Sequence, residues 1–181
     1  MGIPTLISTS TASDSSSIDI TSGIDSTYDE YMFVFTDINP ATDAAAFQFQ
    51  VNATDDPGGD YDTSLITSSY FRAKHNEDGS GAELAYSTGN DLAQSASFQN
   101  LYHSLGNGSD ESCAGVMHLF NPSSTTYVKH FYSRMAGYFE GNDAGQTFAA
   151  GYINDTTAID DIQFKMSSGN FDGVIQMYGI A

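Results

Sequence analysis

The sequence predicts an all-β protein, an antiparallel β-sandwich of about ten strands in jelly-roll-like order. Three observations predict it. Short runs alternate apolar and polar residues with period two, and helical periodicity is almost absent. Clusters of Gly, Asn, Asp, Ser and Pro punctuate the chain at intervals of roughly 8–15 residues. With 181 residues, 40% of them apolar, the chain can build one hydrophobic core, and it shows no internal repeat.

The elements follow in order. Residues 1–27 are rich in Ser, Thr and Asp and read as an N-terminal arm, packed on its own domain or exchanged between subunits. The arm holds a strand over 3–8, a polar loop and a second strand over 16–20. Residues 28–181 form the single sandwich domain. Tyr31, Met32, Phe33, Val34 and Phe35 are a continuous apolar run, as in a strand buried on both faces. A turn over 37–43 is set by Pro40. Residues 46–52 then alternate, with Phe47, Phe49 and Val51 opposite Gln48 and Gln50.

Strands are expected over 65–74 and 82–87. Residues 91–105 fit a short helix and an irregular strand equally well. Further strands are expected over 115–120, 126–134, 147–153, 159–166 and 174–178. The last two read as a hairpin. Ile162, Phe164 and Met166 alternate on one strand, Val174, Gln176 and Tyr178 on the other, and a Gly-containing connection from Ser167 to Gly173 joins them.

Charge restricts the partners. Five Lys and Arg stand against 23 Asp and Glu, a net charge of −18. Phosphate backbones and anionic membrane surfaces repel such a chain, so neither nucleic acid nor membrane is an expected partner. High ionic strength or bound divalent cations relieve its self-repulsion. The N-terminus has no basic region followed by a long apolar run, so no signal peptide is expected and synthesis is placed in a cytoplasm. The single Cys113 lies beside an apolar strand and reads as a small buried hydrophobe.

No catalytic motif emerges. His75, His103, His118 and His130 are scattered, and no nucleophile elbow, zinc helix or phosphate loop is present. Lys129 and His130 are adjacent on a strand and point to opposite faces. The chain is therefore not expected to be an enzyme or to carry an organic cofactor. Calcium is the one candidate ion. Asp55, Asp56, Asp60 and Asp62 crowd one Gly-containing loop, although the spacing is not that of an EF-hand. The loops 77–81 and 109–112 are also acidic. The 11 Tyr and 12 Phe fall mostly at alternating strand positions, where core packing is expected; clustered on one exposed face, they would point to sugar binding.

Several stretches carry a family resemblance: residues 19–31, 38–43 and 118–131, and the Ser167-Ser168-Gly169-Asn170 connection. In this order, over nearly the whole chain, they resemble small virion structural proteins of marine tailed bacteriophages. The resemblance implies a structural role in the particle and no reaction. It leaves head and tail open; the compact chain, without the repetitive shaft of a fibre, favours a multi-copy capsid decoration subunit on the outer surface of the head, with the major capsid protein and copies of itself, a trimer being one arrangement, as expected partners. Ile3, Pro4, Leu6 and Ile7 are the expected contact residues, so removal of residues 1–9 should abolish particle binding and spare the fold. The alternative is a tail- or fibre-associated module recognising host-surface glycan. A third reading is a free carbohydrate-binding module or glycosidase.

Overall fold

A computed structural model describes residues 2–56, 61 and 63–181. Its strands are β1 (Thr5–Ser15), β2 (Ser17–Ile20), β3 (Glu30–Pro40), β4 (Ala45–Ala53), β5 (Ile66–Asn76) and β6 (Ala82–Tyr86). They continue as β7 (Gln99–Leu105), β8 (Cys113–Phe120), β9 (Lys129–Phe139), β10 (Asp143–Ile153), β11 (Ile159–Met166) and β12 (Phe171–Ile180). All named pairs are antiparallel.

One layer runs β1-β12-β3-β8-β9-β10-β5-β6 and the other β2-β11-β4-β7, with a single pairing of Leu105 and Phe139 joining β7 to β9. The pairs β1/β2, β3/β4, β7/β8 and β11/β12 each step from one layer to the other. That order is a jelly roll. The insertions β5–β6 and β9–β10 widen the first layer to eight strands.

The core lies between the layers. Phe164 of β11 packs on Phe33 and Phe35 of β3 at ring-centroid distances of 5.3 and 5.2 Å. Phe35 also meets Phe47 of β4 edge-on, and Phe49 of β4 meets Phe131 of β9.

The structure corrects several expectations. Residues 9–15, expected as a loop, continue β1 along β12, with bulges at Leu6/Ser8 and Ala12/Ser15. The arm is therefore built into both layers, since β2 pairs with β11. The expected turn over 37–43 begins later, because β3 continues to Pro40 and buries Ile38. Residues 99–105 are strand, not helix.

β11 and β12 do not form a hairpin. β11 pairs with β2 and β4, while β12 pairs with β1 and β3. Their connection crosses the sandwich beside the β3–β4 connection, tied there by Ala41 N to Asn170 O and Ser167 N to Ala46 O. A hairpin would place both apolar rows in one sheet; the crossing sets them face to face. On β12 the inward set is Phe171, Ile175 and Met177, while Val174, Gln176 and Tyr178 face outward. Gly173, at φ +144° in a bulge, keeps this phase, because an added Cβ would lie 2.6 Å from Ile38 Cδ1.

Candidate functional site

The two outer faces of the sandwich differ in chemistry. On the four-stranded layer, Asp19, Gln163 and Gln50 lie in one cross-strand row, and Ser17, Lys165, Gln48 and Asn100 in the next. Gln48 Nε2 donates to Asn100 Oδ1 at 2.7 Å, and Gln163 Nε2 donates to Asp19 Oδ1 at 2.5 Å. Segment 96–98 folds over this face: Gln50 Nε2 donates to Ala96 O, and Lys165 Nζ sits 4.4 Å from the Phe98 ring. Burial first, then the neighbouring Asp160, raises the Asp161 carboxyl above its usual range. This face is polar, acidic and partly covered.

The eight-stranded face is the reverse. One outward row reads Leu6, Tyr178, Met32, His118, Tyr132, Ala150 and Ser69 across β1, β12, β3, β8, β9, β10 and β5. The next reads Thr9, Gln176, Val34, Val116, Arg134, Phe148, Phe71 and Tyr86, from β1 to β6. Leu6, Phe71, Leu84, Tyr86 and Tyr132, all exposed, stand on this face. Along its ladder rows the outward carboxylates are Glu30 and Asp172. Exposed apolar and aromatic side chains, interleaved with Thr9, Gln176, Arg134 and Ser69, make this face the candidate interaction surface on a chain of net charge −18.

The aromatic groups on this face are stacked on one another. Phe148 lies between the Arg134 guanidinium, 5.6 Å from its centroid, and Phe71, which is parallel at 4.7 Å. His118 stacks on Tyr132 at 4.6 Å and on Phe120 at 6.3 Å, and its Nδ1 is 2.5 Å from Glu30 Oε1. Beside the Phe148–Phe71 pair, a trough of about 400 Å³ is floored by Ala73, Ala136 and Gln146. Acids crowd the loops at one end of the sheet, where Asp37, Asp110, Glu111 and Asp172 line one hollow and Glu77 and Asp78 a second.

Sequence reasoning missed this face, although its signal was present. Met32 and Val34 made the run from Tyr31 to Phe35 read as buried on both sides. Tyr31, Phe33 and Phe35 are indeed in the core, but Met32 and Val34 are half-buried on the outer side. A strand apolar on both sides reads the same whichever side is packed, and here only the side of Tyr31, Phe33 and Phe35 enters the core.

Of the expected contact residues, Ile3 and Pro4 are exposed ahead of β1, and Leu6 opens the first outward row. Ile7 turns inward and packs against the core. Removing residues 1–9 would also strip the pairings of Thr5 to Thr9 from β12, so that truncation cannot separate binding from stability.

Of the expected calcium ligands, Asp60 and Asp62 lie outside the described residues. Asp55 Oδ2 accepts from Thr157 Oγ1 at 3.1 Å, and Asp56 Oδ2 from Thr63 Oγ1 at 2.8 Å. Among the described residues no group of three or more His, Cys, Asp or Glu is arranged to hold a metal ion. Asp55 of this loop instead acts on a cation of the protein's own, the Lys129 ammonium. Lys129 is fully buried, and its Nζ donates to the carbonyls of Asp155, at 3.1 Å, and Thr157.

The fold also assembles one polar cluster from residues far apart in sequence. Arg72 Nη1 donates to His103 Nε2 at 3.0 Å, so Nδ1 carries the proton and donates to the Tyr70 hydroxyl at 2.9 Å. Burial, then the Arg72 charge, lowers the His103 pKa to about 4. Both nitrogens are committed and the ring is neutral near pH 7, so it is poorly placed to act as a base. Cys113 is buried, and burial alone pushes its thiol well up, away from nucleophilic character.

The His103 shift has a consequence for stability. A depressed folded-state pKa means that the unfolded chain takes up the proton first as pH falls. The contribution is full above about pH 6.5 and lost towards about pH 4. The stability gap between wild type and His103→Gln, from urea unfolding, is expected to shrink by about 2–3 kcal/mol between about pH 7.5 and about pH 4. A constant gap would mean that the ring is not held neutral.

Comparison with protein-family models, with curated proteins and with solved structures finds no match for this chain.

Proposed function

We propose that this chain is a structural, non-enzymatic subunit of a bacteriophage virion, carried in many copies on the outer surface of the head. The observation that carries the reading is the contrast between the two outer faces: one polar and partly covered, the other, eight strands wide, bearing the exposed Leu6, Phe71, Leu84, Tyr86 and Tyr132. A surface of that kind binds a partner rather than turning over a substrate. The resemblance of residues 19–31, 38–43 and 118–131 to virion structural proteins supplies the setting. Co-sedimentation of the purified chain with purified heads lacking it tests the reading. Saturable binding with regular density on the head is the expected result; the absence of binding sinks it.

One observation favours a second reading, a tail- or fibre-associated module for host-surface glycan. Aromatic residues cluster on one exposed face, as sugar-binding surfaces require. Staining of host cells by the isolated chain, competed by host polysaccharide, is its test.

A further inference from the structure

We infer that the outer face of the eight-stranded layer is the docking surface, and that its occupant is a protein surface with an apolar centre and a Lys/Arg rim. The inference rests on the virion reading and names the partner's chemistry.

Three observations carry it. The first is size. Eight strands about 4.8 Å apart and about 20 Å of strand length give a face of roughly 700 Å², close to the ~800 Å² per partner of a standard interface. The second is charge. The face itself is nearly free of carboxylates, while one end is ringed by Asp37, Glu77, Asp78, Asp110, Glu111 and Asp172. Burial first, and then Glu77, Glu111 and Asp110, raise the hydroxyl pKa of the outward Tyr138 beside this rim. An apolar centre with an acidic margin is complementary to an apolar patch edged by Lys and Arg.

The third is ring geometry. Sugars stack on free aromatic faces, but here Phe148 is covered on one side by Arg134 and on the other by Phe71, and His118 is stacked on Tyr132. Phe148, at the centre of this stack, therefore offers no free ring face. The trough beside Phe148 and Phe71, floored by Ala73 and Ala136, admits a side chain from an opposing protein surface.

The test measures binding to purified heads by wild type, Tyr132→Glu, Leu84→Glu and the opposite-face control Gln163→Glu, each first checked for a native thermal transition. Both face variants are expected to lose about tenfold or more in affinity, with the control within about twofold of wild type. Leu84 is 76% exposed, so its variant preserves a folded reading if Tyr132→Glu does not fold. Wild-type binding should also weaken as salt rises, and Asp110→Asn should flatten that dependence. Equal binding by wild type and both face variants overturns the docking face. Loss confined to Gln163→Glu overturns it as well. Binding that ignores salt overturns the basic rim. If wild type binds host polysaccharide and not heads, the virion reading itself falls, together with the protein occupant.

Discussion

Phe164→Ala is expected to lower the unfolding free energy by about 3–5 kcal/mol, the range for truncating a buried aromatic side chain. Phe164 is fully buried and touches both layers, with ring centroids 5.3 Å from Phe33, 5.2 Å from Phe35 and 6.0 Å from Phe47. Its neighbours are themselves rings, held by strand pairing on both sides, so the site has little freedom to collapse into the void. Urea unfolding monitored by tyrosine fluorescence should show the midpoint falling with an unchanged slope. A loss below about 1 kcal/mol would mean that the layers do not meet at this residue.

Lys129→Met is expected to cost about 3 kcal/mol, through a different mechanism. The apolar stem is replaced nearly in volume, but the ammonium is lost. The carbonyls of Asp155 and Thr157 then lose their donor, and Asp55 and Asp155 lose the nearest positive charge. Burial lowers the Lys129 pKa while those two carboxylates raise it, so the ammonium is held by local geometry against its own desolvation. The same urea experiment reads the result, and backbone amides 154–158 should exchange hydrogen faster in the variant. An unchanged midpoint with unchanged exchange would show that the loop does not depend on the ammonium.

The two substitutions also mark what kind of information the sequence carried. Phe164 was legible: it alternates with Ile162 and Met166, and period two places all three on one face. Lys129 was legible only as pointing away from His130. That it faces the interior and holds a loop 26 residues further along follows from the pairing of β9 with β10 and the return of the chain through 154–158. His103 is a similar case, since its partners Tyr70 and Arg72 lie 33 and 31 residues away. No local spacing encodes such a cluster, and so no motif announced it.

The hairpin reading of the C-terminal strands failed for a specific reason. A Gly-containing connection between two alternating runs is compatible both with a hairpin and with a crossing from one layer to the other. Local turn chemistry does not distinguish them. The choice is made by β1 and β3, which take both edges of β12, and by β2 and β4, which take both edges of β11. The phase of β12 was not legible locally either, because Val174 and Tyr178 on one side and Ile175 and Met177 on the other both offer large side chains to a core.

By itself the sequence determined that the chain is all-β and antiparallel, where most strands run, and that it carries a net charge of −18. Those properties depend on side-chain period and on charge, which are local or additive. Only the tertiary structure decided which apolar rows enter the core and which are left outside it. A strand with two apolar faces reads the same whichever face is covered, and cover comes from strands distant in the chain. The outer face of Leu6, Met32, Val34, Tyr132 and Phe71 exists because eight strands lie in one layer and, among the described residues, no third layer covers them.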